Sequence, residues 1–114
     1  MNDCLFCKII AGEIPSDTVY ENESVFAFRD IEPKAPIHIL IIPKEHITTT
    51  NDIDESHKTL MGEIILAANI IAEQEGIADS GYRTVFNCNQ DGGQAVYHIH
   101  LHLLGGRQMM WPPG

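Results

Sequence analysis

Residues 97–103 read Tyr-His-Ile-His-Leu-His-Leu, a strict alternation of large apolar side chains with imidazoles. Side chains alternate across a β-strand, so this period of two sends Tyr97, Ile99, Leu101 and Leu103 to one face and His98, His100 and His102 to the other. A strand over 96–103 must therefore carry an apolar layer on one side and three imidazoles on one surface. Same-face neighbours stand roughly 6.5–7 Å apart along a strand, so one phosphate could meet two of them.

The other elements follow from punctuation by Pro, Gly and Asn. Leu5, Phe6, Ile9 and Ile10 recur at helical spacing before Gly12, which predicts a short helix over 4–11. β-prone runs at 18–21 and 24–29 flank Asn22-Glu23 as a hairpin, and 37–42 reads as a buried strand between Pro36 and Pro43. A long helix is expected over 53–77, opened by the capping-box-like Asp52 and Glu55 and stopped by Gly76. Strands at 82–87 and 96–103, joined by the turn-rich Asn89-Gln90-Asp91-Gly92-Gly93-Gln94, bring the number to five. This order predicts an α+β fold with a mainly antiparallel five-stranded sheet, one long helix and one short helix. With 114 residues and no linker or repeat, 1–114 is expected to be a single domain.

The long helix is too apolar to bury only one face. Leu60, Ile64, Ala67 and Ile71 form one stripe, Met61, Ile65, Ala68 and Ala72 a second, and Leu66 and Ile70 widen the arc. In so small a chain the excess points to a second subunit across a two-fold axis, with a thick core helix as the alternative.

Charge narrows the partners. Sixteen acidic against seven basic residues give a formal charge of −9, which argues against nucleic acid and against membrane surfaces but leaves room for a small anion in a locally positive pocket. No apolar run approaches the roughly 18 residues of a membrane span and the N-terminus lacks a secretory pattern, so a cytoplasmic location is expected, with the nucleus as an additional compartment. Three cysteines, two of them in Cys4-x-x-Cys7, indicate thiols or a metal clip rather than a disulfide framework. Cys88 reads as a small residue at a strand end, and His57 as an exposed residue near the start of the long helix.

Three readings of the histidine strand compete. A polar face that happens to be histidine-rich ignores the strict alternation. Two histidines at i and i+2 can reach one zinc ion, but no Asp or Glu lies near in sequence to complete a hydrolytic centre. In the third reading one imidazole is a nucleophile toward phosphorus, since a neutral imidazole with an ordinary pKa of about 6.5 is largely unprotonated at neutral pH. Gly92-Gly93 before the strand could bring peptide N–H groups to phosphate oxygens. Donors from Asn87, Gly93 and Gln94 would stabilise the developing phosphoryl charge.

These residues resemble the histidine triad (HIT) superfamily, whose signature is His-x-His-x-His followed by apolar residues, and most closely its Hint branch of purine nucleoside phosphoramidases. The resemblance extends over Phe26-Ala27-Phe28-Arg29-Asp30-Ile31, Ala35-Pro36-Ile37-His38, Ile42-Pro43-Lys44-Glu45-His46-Ile47 and the tail Gly105-Gly106-Arg107-Gln108-Met109-Met110-Trp111-Pro112-Pro113-Gly114. It implies a homodimer with a joined sheet and a nucleotide site in each subunit. It also implies that His100 attacks the α-phosphorus and is transiently nucleotidylated, that His98 supports it, and that His102 and His38 act around the phosphate and leaving group. Asp30 would accept from the ribose hydroxyls. Phe6, Leu5, Ile9, Phe28, Ile31 and Leu40 would wall the base, each with ordinary core packing as the alternative. For Asp30 the alternative is a turn or capping carboxylate. An apolar slot predicts purine preference with little discrimination between adenine and guanine. No metal is required for this chemistry.

Two positions depart from the branch. Ala95 stands where many members have a serine near the phosphate, and Met110 replaces a polar residue just before Trp111, in a tail that acts in the partner's site in this family. The Cys4/Cys7 spacing is half a zinc site. Some HIT proteins complete it with residues matching His46 and His98, which makes a closed, structural zinc the candidate metal. The sequence thus points to a dimeric purine nucleotide hydrolase cleaving nucleoside phosphoramidates. A dinucleoside polyphosphate hydrolase of the Fhit branch is disfavoured by the Trp-Pro-Pro-Gly ending, and a nucleotide-binding adaptor with vestigial hydrolysis stays open through Ala95.

Overall fold

A computed structural model describes residues 3–114. In chain order the elements are α1 (Leu5–Ile10), β1 (Thr18–Glu21), β2 (Val25–Arg29), β3 (Ile37–Pro43), α2 (Lys58–Gln74), β4 (Tyr82–Val85), α3 (Asn89–Gly92) and β5 (Leu101–Gly105). The strands form one antiparallel sheet in the order β1-β2-β3-β5-β4, which puts the histidine-bearing β5 in the interior and leaves β1 and β4 as edges.

Alternation along the strands separates two layers. Val25, Ala27, Ile39, Ile41, Leu101 and Leu103 face α2 and pack with Ile64, Ala67, Ala68, Ile71 and Ala72. Phe26, Phe28, Leu40 and Ile42 face the other way and pack against Phe6 and Ile9 of α1. The short α1 covers only part of that second face. His38 and His102 project from the remainder, in register beside Leu104 and Leu40 respectively.

Helix boundaries follow local hydrogen bonds. The long helix begins at Lys58, not at 53, because two capping boxes, Thr49 with Asp52 and Asp54 with His57, hold the preceding residues in two 3-10 turns. Its end is a Schellman motif: Ile77 N–H donates to Ala72 O and Gly76 N–H to Glu73 O, with Gly76 at φ 74° where a side chain would be strained. Arg29 at the end of β2 makes a bidentate pair with Glu75, both contacts 2.9 Å, tying sheet to helix. The segment expected as an open turn at 89–94 contains the extra short helix α3.

The predicted strand over 96–103 is corrected. The ladder starts at Leu101, while residues 96–100 bend outside it, with Ile99 N–H donating to Ile47 O. Tyr97 is consequently half exposed instead of sharing an apolar layer with Ile99 and Leu101. Ile65, Leu66 and Ile70 of α2 lie exposed on the side turned away from the sheet. Among the described residues no helix is long and apolar enough to cross a membrane.

Candidate active site

The triad spans the bend before β5. His100 and His102 stay neighbours, with ring centroids 4.9 Å apart. The ring of His98, fully buried, stands with His100 against Phe6, at centroid distances of 5.9 and 5.1 Å. His98 and His100 share the side covered by Phe6, although both precede the pleated ladder of β5.

Backbone acceptors fix the tautomers. His100 Nδ1 donates to the His98 carbonyl at 2.8 Å, which places its proton there and leaves a lone pair on Nε2. Phe6 stands edge-on to His100, centroids 5.1 Å apart, and closes one side of the ring. His98 Nε2 donates to the Pro43 carbonyl at 2.8 Å, so its lone pair is on Nδ1. Burial lowers the pKa of His38, His98 and His100 below the ordinary imidazole value. Burial does the same at His102, and repulsion by His100 and His38 adds to it, bringing that pKa to about 4 against an opposing pull from Asp30.

His102 Nδ1 lies 2.9 Å from His38 Nε2, and Asp30 Oδ2 lies 3.5 Å from the same His38 nitrogen. Asp30, His38, His102 and Asn87 help line a cleft of about 240 Å³. Asp30 is also a turn carboxylate, its Oδ1 accepting from Glu32 N–H at 2.8 Å. Asn87 lines the cleft, and its side-chain amide makes no hydrogen bond among the described residues.

Several predicted contacts are placed differently. Gln94 is buried and its side chain is spent on the loop: Nε2 donates to Thr48 O and Val96 O, and Oε1 accepts from Asn89 N–H. The peptide N–H groups of Gly93 and Gln94 donate to Gln90 O and Asn89 O. Neither residue has a proton left for a phosphate, so their part is to shape the loop that carries His98 and His100. Phe6, Ile9, Phe28 and Leu40 are core residues of one cluster, whereas Leu5 and the 95% exposed Ile31 have apolar surface open to a base. Ala95 lines a second cleft, of about 560 Å³, with Leu5, His46, Thr48 and Tyr97. Trp111 lies against Arg83 of edge strand β4, 5.9 Å from ring centroid to guanidinium carbon. His57 is mostly covered, its Nε2 3.0 Å from Glu45 Oε2, and not the exposed residue expected. Sequence reasoning missed Lys34, which acts here through its backbone N–H and C=O and gives no residue-type signal, and Arg107, whose guanidinium donates to the Lys34 carbonyl.

Cys4, Cys7, His46 and His98 gather their ligand atoms in one place. His98 Nδ1 lies 3.2 Å from Cys4 Sγ, 3.5 Å from Cys7 Sγ and 3.2 Å from His46 Nδ1, and Cys7 Sγ lies 3.4 Å from His46 Nδ1. A tetrahedral zinc with ordinary bond lengths has edges of about 3.3 Å between nitrogens and about 3.6 Å between nitrogen and sulfur. The distances fit, and so does the donor set, because Pro43 O holds the proton of His98 on the far nitrogen.

Comparison with known proteins agrees with this geometry. A family model described as the HIT domain matches residues 11–109. The chain is 57% identical over 107 residues to an Escherichia coli K12 protein named purine nucleoside phosphoramidase, covering 94% of this chain and 90% of that one. It is 55% identical over 112 residues to a Zea mays protein named 14 kDa zinc-binding protein, covering 96% and 87%. A solved HIT family hydrolase from Legionella pneumophila Philadelphia 1 matches with a TM-score of 0.97 at 58% identity, over 98% of this chain and 100% of that one. A histidine pair at the start of an interior strand, a bend that brings the third ring to two thiols, and a family match over most of the length lead to one conclusion: this chain belongs to the HIT family.

Proposed function

We propose that the protein is a purine nucleotide-binding hydrolase that cleaves the P–N bond of nucleoside phosphoramidates, releasing AMP or GMP, with His100 as nucleophile. The observation that carries this reading is the state of His100. Its Nδ1–H is committed to the His98 carbonyl and burial favours the neutral ring, so Nε2 offers a lone pair at neutral pH. Attack forms an Nε2–P bond and breaks the P–N bond, and the amine leaves with a proton taken from solvent, which the attacking water returns in the next step. Water then cleaves the Nε2–P bond, releases the nucleoside monophosphate and restores His100. His102 and Asn87 border the cleft where phosphoryl charge develops, Asp30 is placed for ribose hydroxyls, and Leu5 and Ile31 for a base. The name of the Escherichia coli relative supports the substrate class.

Zinc held by Cys4, Cys7, His46 and His98 would be structural, a closed four-ligand shell that supplies cross-linking rather than an open coordination position. Fixing His98 also fixes the carbonyl that orients His100. The exposed Ile65, Leu66 and Ile70, linked to edge strand β4 through the Tyr82 hydroxyl bond to Asn69, favour a two-fold homodimer joined through α2 and β4.

Ala95 supports a second reading, a nucleotide-binding adaptor, because it brings no hydroxyl to assist proton delivery. Steady-state hydrolysis of an adenosine phosphoramidate with a lysine-like amine, beside diadenosine polyphosphates and with a chelator present, separates the two. Preferential, chelator-resistant release of AMP from the phosphoramidate is expected. Tight nucleotide binding without turnover would overturn the enzyme reading in favour of the adaptor.

A further inference from the structure

We propose that the Lys34 peptide and His38 form a tautomer lock that keeps the single proton of His102 on Nε2, the nitrogen left to face a bound phosphoryl group. The lock begins with a donor that has no alternative. Lys34 N–H points at His38 Nδ1 at 3.0 Å, and a peptide N–H can only donate. His38 Nδ1 is therefore an acceptor, and the proton of the neutral ring sits on Nε2. From there it reaches His102 Nδ1 at 2.9 Å, which must accept. His102, neutral in turn, carries its own proton on Nε2.

The loop that supplies the first donor is braced from outside the site. Arg107 donates from Nη2 and Nε to the Lys34 carbonyl at 2.9 and 3.3 Å, holding the residue whose N–H sets the lock. Gly106, at φ 90°, lets this segment approach: a Cβ there would stand 2.9 Å from Pro36 Cβ. On the other side Asp30 Oδ1 caps Glu32 N–H, so the turn is fixed at both ends. Arg107, Lys34 and His38 are thus positioning residues that act through His102.

The same logic separates two clusters that look alike by distance. Asp30, His38 and His102 could also gather around a metal ion. A metal on His38 Nε2 would need that lone pair while Lys34 N–H already occupies the other, which no neutral imidazole provides. At His98 the backbone partner is an acceptor, and the lone pair faces the thiols. One cluster is wired for a proton and the other for a cation.

The catalytic consequence rests on the phosphoramidase reading, whereas the tautomer itself does not. The test is long-range ¹H–¹⁵N correlation on ¹⁵N-histidine-labelled protein at neutral pH, with His102 assigned by its loss in His102→Gln. His102 and His38 should each appear as the Nε2–H form. His38→Leu should give His102 a mixed tautomer population and lower kcat by about tenfold or more with KM within about threefold. His38→Gln, which keeps a donor near the Nε2 position, should restore both. Arg107→Met, remote from the rings, should partly release the lock. An Nδ1–H form of His102 in the wild-type protein would overturn the proposal, as would an unchanged His102 spectrum in His38→Leu. Absence of phosphoramidate turnover in the wild-type protein would sink the functional reading and leave the spectrum to decide the lock.

Discussion

Replacing Leu66 by glutamate should turn a dimer into a monomer. Ile65, Leu66 and Ile70 are 46, 60 and 42% exposed, while the opposite side of the same helix is buried on the sheet. Their exposed surface amounts to about one and a half fully exposed side chains. At roughly 1.5–3 kcal/mol per aliphatic side chain buried, covering it contributes about 2–4 kcal/mol per protomer and twice that in a symmetric pair. Association costs roughly 4–15 kcal/mol of lost freedom, so the patch is sufficient only with help from pairing along the β4 edge. Leu66 alone accounts for about 1–2 kcal/mol per protomer. Its loss from both copies raises Kd by roughly 30-fold to 1000-fold, before the cost of desolvating a carboxylate. Sedimentation velocity through the micromolar range should show a wild-type dimer and a Leu66→Glu monomer with an unchanged circular dichroism spectrum. A wild-type monomer throughout that range, or a variant that dimerises as tightly as wild type, would refute the reasoning.

Other perturbations have equally definite signs. The folded pKa of His102, about 4, lies below its unfolded value, so its stability contribution is full above pH ~6.5 and falls by on the order of 3 kcal/mol as pH drops toward 4; urea titrations should show a shallower acid slope in His102→Gln. Cys7→Ser should lose bound zinc by elemental analysis and melt at lower temperature, while His100→Ala keeps its metal; equal zinc in Cys7→Ser would remove that residue from the shell. Glu75→Gln breaks the bidentate pair to a partly exposed Arg29 and should cost about 1 kcal/mol, a Tm drop of a few degrees by calorimetry.

The sheet was legible because its signals are local. Period-two alternation and flanking turn residues located β1, β2 and β3 to within a residue. The long helix was legible in its apolar arc but not in its start, since side chains at Thr49, Asp52, Asp54 and His57 hold the backbone in 3-10 turns that no periodicity reveals. The bend at 96–100 was hidden for a related reason. Alternation announces a strand, but the pairing partner decides where the ladder stops, and beyond Ile41 the segment facing β5 gives way to the 46–48 loop. Gln94 looked like a phosphate donor by residue type and is instead consumed by carbonyls 46 and two residues away. The tautomers of His98, His100 and His38 depend on the backbone atoms of Pro43, His98 and Lys34, which every residue type carries alike.

The central claim is that His100 Nε2 forms a covalent bond to the phosphorus of the nucleotide. Acid quenching of a single-turnover reaction with an adenosine phosphoramidate, followed by peptide mass mapping, tests it directly. The account predicts an adenylyl adduct on the peptide containing His100 that decays as AMP appears, and neither adduct nor turnover in a folded His100→Ala protein. An adduct on another residue, or undiminished AMP release by His100→Ala, would contradict it.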